Sequence, residues 1–448
     1  MAYAGAPAFA QAPTAPRKPP AKGWLPVITF VRAAGENEAE AATAMRQIAE
    51  NWHEAYAAML LEALAFSPYL SVHGAIMALL HAASGIRGES IDALYRWLWS
   101  MQTGEHPHYA AFKAALYERI DPRFREYFDN NPKRTIRLDE VRWGGVRRDG
   151  IPPLKNPKML RARDAGYLDG DNVVFGVAID GDVRAYPKRI LAWHEMVKDR
   201  IGGRELNGVY CTLCGSMVVY VAMAGGVHHE LGTSGFLYRS NKLMYDHATK
   251  SMWSTLEGKP VIGALAGKGI ELERLHVVTT AWKEWSSRHP ETLVLSLDTG
   301  HQRNYGEGAA YNEYFATDRL MFGVPKLDNR LANKAEVVAL REAGPRADPL
   351  AISAAYLSAH PVYQDRVGET PFVVFTDASG ANRVYESRRL RFAAWNGGDL
   401  ATDSEGRSWK VSEDALTGPG RRKLKRLPAH RAFWFGWYSA YPDTRLVK

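Results

Sequence analysis

The feature that most constrains the fold is an internal repetition, because the last third of the chain repeats the order of motifs found in the middle third. The stretch VVFGVAIDGDVRAYPKRIL at 173–191 is matched by LMFGVPKLDNRLANKAEVV at 320–338, and AWKEWSSRHPETLVLS at 281–296 by AFWFGWYSAYPDTRLVK at 432–448. Identical residues recur in the same order, as His194/His360, Asp199/Asp365, Trp253/Trp409, Trp285/Trp437, Pro290/Pro442 and Thr292/Thr444. We interpret this as two tandem copies of one β-rich unit, at 133–305 and 306–448.

The residues before the repeat have a different pattern. From about residue 25 to residue 132 the apolar residues follow a helical period, and the stretch from Glu38 to Ala65 contains neither Gly nor Pro. After Pro132 the chain changes to short β-branched runs separated by Gly, Asp and Pro. The predicted fold class is therefore α+β, with an all-helical N-terminal domain at 25–132 followed by two degenerate β-rich copies.

Residues 1–24 are rich in Ala and Pro, and AFAQA at 8–12 resembles the small-residue region that precedes a signal cleavage site. The charged and long apolar parts of a signal peptide are not in the sequence. Two interpretations stay open: an exported protein whose leader has been trimmed, which predicts a periplasmic or secreted location, and a flexible tail without an address. No uninterrupted apolar run is long enough to span a bilayer.

The charge distribution argues against nucleic acid as a partner. The formal net charge is +8 over 448 residues, and the densest basic run is RRKLKR at 421–426, next to Gly and Pro. A nucleic-acid groove needs a basic stripe interleaved with aromatic residues. We expect the run to be a solvated loop.

The two cysteines of the chain, Cys211 and Cys214, lie in VYCTLCGSMVVYV at 209–221. A redox Cys-x-x-Cys of the thioredoxin kind begins a helix, whereas the apolar flanks here predict two strands of a hairpin with CTLCG as its turn. Gly215 can adopt the positive φ that closes such a turn, and both sulfurs then project to one side. This is also the knuckle by which zinc ribbons hold a metal, although those sites usually have two knuckles.

The comparison of the two copies separates shared residues from those found only in the first. Cys211 and Cys214 fall opposite Thr376 and Ser379, and Asn241 has no convincing counterpart. The same holds for His289, which falls opposite Tyr441, and Glu195, which falls opposite Pro361. We expect the shared residues to maintain the fold and the unshared ones to carry the chemistry.

A metal site at Cys211 and Cys214 needs further ligands, and the first copy offers His194 and His289. His194 is shared with the second copy, so a structural hydrogen bond is an equally good explanation for it. Two thiolates and one or two imidazoles suit copper, especially Cu(I), with zinc as the second choice. A disulfide and two inert thiols are the alternatives for the pair. Glu195 could transfer a proton nearby, or could simply be solvated.

Taken together, the motifs WGGVRRDGIPPL, YLDGDNVVFGVAIDGDVRAYP, HEMVKDRIGG, YCTLCGS and GTSGFLYRSNKLMYDHATKSMWS resemble the bacterial family catalogued as domain of unknown function 3179. Its cysteine motif typically reads Tyr-Cys-Pro-Leu-Cys, so Thr212 departs from it. The resemblance is strong over 135–305 and weak in the second copy. It implies no established reaction, but it implies export and a shared cysteine pair and His-Pro element, at Cys211, Cys214, His289 and Pro290.

Three functions follow as hypotheses. The first is an extracytoplasmic copper-binding protein with Cys211, Cys214, His194 and His289 as ligands; if it is an enzyme, it is a copper-dependent oxidoreductase with Glu195 as an acid or base. The second is a non-enzymatic scaffold of the cell envelope in which the cysteines form a structural disulfide. The third is a thiol–disulfide redox protein. The sequence names neither a substrate nor a partner, and it leaves the oligomeric state open.

Overall fold

The computed structural model describes residues 20, 23–88, 90–102, 104–344 and 348–448, so most of the predicted tail at 1–24 lies outside the described residues. The N-terminal part is helical, as the periodicity predicts. Its α-helices are α1 Val27–Ala33, α2 Glu38–Glu50, α3 Ala57–Ala63, α4 Leu70–Ser84, α5 Ile91–Ser100, α6 Tyr109–Tyr117 and α7 Arg125–Phe128.

Local signals set the ends of these helices. The side chain of Asn37 accepts a hydrogen bond from the Glu40 backbone N–H and begins α2, and Ser90 does the same for α5 through the Ala93 N–H. Gly85 ends α4 with φ 70°, a left-handed conformation that costs glycine little. These caps set the beginnings of α2 and α5 and the end of α4.

The first β-rich segment contains the helices α8 Lys188–His194 and α9 Trp282–Arg288. Its strands are β1 Val141–Trp143, β2 Leu154–Lys155, β3 Met159–Arg161, β4 Val173–Ile179, β5 Asp182–Pro187, β6 Met196–Ile201, β7 Arg204–Cys211, β8 Ser216–Val221, β9 Met223–Ala224, β10 Val227–His228, β11 Leu231–Tyr238, β12 Asn241–Asp246, β13 Met252–Ser254, β14 Lys259–Ile262, β15 Arg274–Leu275, β16 Val278–Ala281 and β17 Leu293–Leu295.

The second segment contains the helices α10 Asn312–Phe315, α11 Ala354–Ala359 and α12 Trp434–Ala440. Its strands are β18 Glu336–Leu340, β19 Leu350–Ser353, β20 Val362–Val367, β21 Thr370–Thr376, β22 Asn382–Glu386, β23 Phe392–Trp395, β24 Leu400–Asp403, β25 Ser408–Val411, β26 Ala415–Thr417, β27 Lys423–Lys425, β28 His430–Phe433 and β29 Arg445–Val447. The chain is thus a mixed α/β protein with a helical N-terminal region followed by several sheets.

The sheets of the two segments have similar strand orders. In the first, β16, β4, β5 and β17 are neighbours in that order, and in the second β28, β18, β19 and β29 are. In both, the first three strands pair antiparallel and the last joins in parallel. The antiparallel sets β6-β7-β8 and β20-β21-β22 follow in chain order. In this arrangement β18 at 336–340, rather than the stretch at 320–324, occupies the position of β4, so the sequence match at 320–338 is displaced along the chain.

Two tryptophans hold equivalent positions in these sheets. Trp285 donates from Nε1 to Thr292 Oγ1 over 3.1 Å, and Trp437 donates to Thr444 Oγ1 over 2.9 Å. Both indoles are fully buried. Each lies on the short helix that precedes the parallel strand, so it fixes the helix to the sheet.

Each β-rich segment has a core of its own, but other cores cross the boundaries between the segments. Aromatic side chains of the helical region pack on the sheet β1-β11-β12-β13-β14, and the ring centroids of Phe124 and Phe128 lie 4.9 and 5.3 Å from that of Phe236. Another core joins β7 and β8 to β18, β28 and α12 of the second segment. Continuous apolar burial therefore links the predicted domains.

The basic run at 421–426 is not a loop throughout. Lys423–Lys425 form β27, the last strand of the sheet β23-β24-β25-β26-β27, with Leu424 buried between the two exposed lysines. Arg426 is buried and donates to the Glu413 carboxylate over 3.0 Å. The alternation of apolar and charged residues, with cations on an edge, is the pattern of an edge strand. In the part of the chain that the structure describes, no helix is both long and apolar enough to cross a membrane.

Candidate functional site

The cysteine pair lies in the turn between β7 and β8, which confirms the predicted hairpin. Cys211 ends β7 opposite Ser216, and the Cys214 N–H donates to the Cys211 carbonyl over 3.2 Å. Gly215 has φ 58°, and a Cβ at this position would lie 2.9 Å from the ring of Phe433. Both the backbone conformation and the packing therefore require glycine here.

The two thiols are buried and close together. Cys211 is 2% exposed and Cys214 0%, both are free, and their sulfur atoms lie 2.9 Å apart. Cys214 Sγ is also 2.9 Å from Asn241 Oδ1. The Asn241 amide nitrogen donates to the Gly436 carbonyl over 3.2 Å, which orients the amide oxygen toward the sulfur. The turn thus holds both sulfurs on one side, as the spacing predicts.

The surroundings make the two thiols unequal. Burial raises the pKa of Cys211, but hydrogen bonds from the Cys214 thiol and the Lys242 backbone N–H outweigh it and lower that pKa below its ordinary value. Burial and the hydrogen bond to Cys211 raise the pKa of Cys214 well above its ordinary value. Cys211 is therefore the first of the pair to become a thiolate, which is the nucleophilic form.

A buried ion pair lies beside the thiols. Glu195 follows α8 in the left-handed region at φ 55° and is 8% exposed. Its Oε2 accepts a hydrogen bond from Lys242 Nζ over 2.8 Å, and its Oε1 accepts one from Thr212 Oγ1, within the cysteine turn, over 3.0 Å. The sequence left open whether this carboxylate is solvated, and the structure buries it with a cation and a hydroxyl as partners.

The second β-rich segment, which begins with α10, covers the cysteine turn. The Phe433 N–H donates to the Cys214 carbonyl over 2.7 Å, and a Cβ on Gly436 would lie 3.4 Å from Cys214 Sγ. Tyr314, on α10, donates its hydroxyl hydrogen to the Leu213 carbonyl over 2.7 Å. The pair is thus enclosed by residues more than 90 positions away in sequence.

The two histidines predicted as ligands have other partners. His194 is fully buried, with Nδ1 2.9 Å from the Pro152 carbonyl and Nε2 2.5 Å from the Tyr305 hydroxyl. Burial lowers the pKa of His194, and a neutral ring suits these two contacts. The hydrogen-bonding role that the sequence left open for His194 is what the structure gives it.

His289 lies where the two segments meet. Its Nε2 is 3.4 Å from Glu413 Oε1, and its ring centroid is 4.4 Å from that of Trp285. Neither histidine is among the residues that contact the two sulfurs. Over residues 20, 23–88, 90–102, 104–344 and 348–448, no group of three or more His, Cys, Asp or Glu side chains could hold a metal ion. The four predicted metal ligands therefore do not form one cluster.

The structure adds residues that the motif did not indicate. Asn241 and Lys242 begin β12, and they reach the cysteine turn because β12 and the hairpin converge in the fold. One signal for Asn241 was in the sequence, because it had no convincing counterpart in the comparison of the two β-rich stretches. Nothing in the sequence pointed to the covering residues Phe433 and Gly436, which act through position rather than through reactive groups.

The fold and the site define a mixed α/β protein with a buried pair of free cysteines that its own C-terminal segment encloses. A family model described as protein of unknown function (DUF3179) matches residues 148–444, and the chain belongs to this family. The match begins after β1 and stops before β29, so it covers most of both β-rich segments and excludes the N-terminal helices. The comparisons found no similar curated protein and no similar solved structure.

Proposed function

We propose that Cys211 and Cys214 form a redox-active dithiol that cycles between two thiols and one disulfide. The observation that carries this proposal is the distance of 2.9 Å between the sulfur atoms. A disulfide has an S–S bond of about 2.05 Å, so closure needs an approach of only about 0.9 Å. The i, i+3 spacing in one turn allows this without moving either strand.

The reaction that fits is exchange with a small disulfide, R–S–S–R′. The Cys211 thiolate attacks one sulfur, forms a mixed disulfide and releases R′S⁻. Cys214 then loses its proton and attacks Cys211 Sγ, which closes the internal disulfide and releases RS⁻. The substrate gains two electrons and the cysteine pair loses two. We assign the proton transfer to Glu195, because its carboxylate accepts a hydrogen bond from Thr212 within the cysteine turn and pairs with Lys242.

Burial restricts what can react. Because both sulfurs are shielded by Phe433, Gly436 and Tyr314, a protein disulfide cannot reach them without an opening of the cover. A small disulfide or another small oxidant is the substrate class that this enclosure favours. Of the three functions that the sequence suggests, we therefore favour the thiol–disulfide redox protein.

The test is redox equilibration of the purified native protein. Incubation with mixtures of oxidised and reduced glutathione is expected to lower the mass by about 2 Da in one two-electron transition. Cys211→Ser and Cys214→Ser are each expected to abolish it, and Thr212→Ala, which keeps both thiols, is expected to retain it. A pair that stays reduced at a poise of about −150 mV would refute a functional redox couple.

Copper, with zinc as the second choice, is our second candidate, because the two soft sulfurs on one turn are ligands that Cu(I) prefers. His194 and His289 drop out of this version, which leaves Cys211, Cys214 and the Asn241 amide oxygen. Tetrahedral zinc with bonds of about 2.3 Å places two sulfurs about 3.8 Å apart. The sulfurs at 2.9 Å must therefore move apart to bind zinc, whereas a disulfide needs them to move only slightly closer. Metal binding ranks second to the redox function for this reason.

Copper binding is tested by anaerobic titration of the reduced protein with Cu(I) in competition with a chromogenic chelator. We expect about one equivalent to bind and Cys211→Ser to remove it. His289→Ala serves as the control and should leave the stoichiometry unchanged. Uptake below about a tenth of an equivalent, or uptake that Cys211→Ser does not change, excludes the copper site.

We infer that the two β-rich segments are degenerate copies of one unit, which the common strand order and the matched Trp–Thr hydrogen bonds support. Export to the periplasm or the medium rests on the Ala- and Pro-rich residues at the N-terminus. A cell-envelope scaffold stays the alternative if the cysteines prove to be a permanent disulfide.

A further inference from the structure

Residues 306–327 form an irregular segment over the cysteine turn, which we call the cover segment. The structure describes all of these residues, and none of them lies in a strand; α10 is the one short helix among them. Only Tyr314 and Val324 are buried, and both pack in one apolar cluster with Cys211 and Cys214. Irregular stretches longer than about 12–15 residues are uncommon in compact domains, and many of them are lids or binding loops.

Both ends of the cover segment are fixed to the rest of the protein. Directly before it, the Tyr305 carbonyl accepts a hydrogen bond from Arg189 Nε. Directly after it, the Asp328 carbonyl accepts one from Trp434 Nε1 over 3.0 Å. Fixed ends and a largely exposed middle allow the segment to move away from the cysteines while the sheets stay in place.

Two tyrosines of the cover segment reach the cysteine turn and its ion pair. Tyr314 donates to the Leu213 carbonyl over 2.7 Å, and the Tyr311 hydroxyl lies 3.4 Å from Glu195 Oε1. Lys334 Nζ, beyond the end of the segment, donates to the Tyr314 carbonyl. Tyr311 has φ 59°, a left-handed conformation that is strained for a bulky side chain. The bonds at Tyr314 therefore hold the segment closed, whereas the strain at Tyr311 favours its release.

The C-terminal side of the enclosure is built differently. β28 pairs antiparallel with β18 along its whole length, and every residue of α12 is buried. Moving Phe433 or Gly436 away from the thiols would break ladder hydrogen bonds and expose part of that core. Opening the enclosure on this side is therefore much more costly than opening it at the cover segment.

We propose that the cover segment is the gate of the cysteine site and that the Tyr314 hydrogen bond keeps it closed. When that bond breaks, the segment moves away and a small reagent reaches Cys211; when it forms again, both thiols are enclosed. Tyr314 thus determines which oxidants enter and how fast, and it is not a catalytic residue. The role of the gate rests on the proposed redox function, but its opening does not require redox chemistry.

The test is alkylation of the reduced full-length protein by iodoacetamide, at concentrations at which the rate is proportional to the reagent. Tyr314→Phe, which keeps the ring and removes the hydrogen bond, is expected to raise the alkylation rate about two- to tenfold. Tyr220→Phe is the matched control, because the buried Tyr220 hydroxyl donates to the Thr255 carbonyl over the same distance of 2.7 Å. It should leave the rate unchanged. Equal rates in Tyr314→Phe and the natural chain, or an equal rise in Tyr220→Phe, would overturn the proposal.

Two measurements on the natural chain test the gate without any variant. Below the unfolding transition the alkylation rate should hardly depend on urea, because a local opening exposes little surface. In native hydrogen exchange, residues 306–327 should exchange faster than residues 209–221 and 430–440. A steep rise of alkylation with urea, or faster exchange at 430–440 than at 306–327, would contradict the gate.

The two proposals can fail separately. If the glutathione titration shows no transition while Tyr314→Phe speeds alkylation, the gate stands and the redox function is excluded. If the redox transition is present and Tyr314→Phe does not change the alkylation rate, the gate alone is wrong.

Discussion

Replacing Lys242 by methionine is expected to lower the free energy of unfolding by about 3–5 kcal/mol. Lys242 Nζ donates to Glu195 Oε2 over 2.8 Å, and the two side chains are only 6% and 11% exposed. Methionine fills similar space but leaves the Glu195 carboxylate buried without its cation. Removing one partner of a buried pair is far more costly than removing both.

The measurement is denaturant-induced unfolding of the reduced protein, followed by tryptophan fluorescence. Lys155→Met is the matched control, because Lys155 pairs with Glu230 at the surface, where the side chains are 66% and 39% exposed. That variant should lose less than about 1 kcal/mol. The double variant Glu195→Gln/Lys242→Met should recover part of the loss. A Lys242→Met protein within about 1 kcal/mol of the natural chain would contradict the buried pair.

The same variant connects stability to the proposed redox function. Thr212 donates to Glu195 within the cysteine turn, so an unpaired carboxylate is expected to loosen that turn. We therefore expect both cysteines to react faster with an alkylating reagent in Lys242→Met than in Lys155→Met. Equal alkylation rates would show that the ion pair does not control access to the thiols.

Truncation of Trp285 or Trp437 to alanine is expected to cost about 3–5 kcal/mol each. Both indoles are fully buried and donate to a threonine hydroxyl. Gly176 makes room for the first, since a Cβ there would lie 2.3 Å from the Trp285 ring. The loss combines apolar burial, a residual cavity and an unpaired hydroxyl.

These variants also test the duplication. If the two segments share one architecture, the two losses in the free energy of unfolding should agree within about 1 kcal/mol. Replacing each tryptophan by phenylalanine should cause a smaller loss than replacing it by alanine. Trp193→Ala is the control, because Trp193 is only partly buried although it also donates, to the Asn304 carbonyl over 2.8 Å. A Trp437→Ala protein that unfolds like the natural chain would argue against a shared architecture.

Part of the site was predictable because it is local in sequence. The apolar flanks of Cys211 and Cys214 predict two strands. Gly215 adopts the positive φ that closes their turn, which glycine does without strain. The proximity of the two sulfurs follows from this geometry. The absence of cysteines from the stretch matched to it at 376–379 was the reason for expecting chemistry at this turn, and that expectation stays a prediction.

The partners of the turn were not predictable in the same way. His194 and His289 were candidate ligands because of their residue type, but the fold gives them other partners. His194 Nδ1 lies 2.9 Å from the Pro152 carbonyl, and His289 Nε2 lies 3.4 Å from Glu413 Oε1. Spacing along the chain carries no information about which loops converge. A ligand set inferred from residue types alone therefore included two residues that the fold uses elsewhere.

By itself the sequence determined the helical region, the β-rich remainder, the cysteine hairpin and the family, because periodicity, turn residues and motif order are properties of neighbouring residues. Tertiary structure alone decided that Asn241 and Lys242 meet the cysteine turn and that the C-terminal segment encloses it. The reason is physical: local backbone preferences act over a few residues, whereas burial and charge pairing depend on contacts between distant parts of the chain.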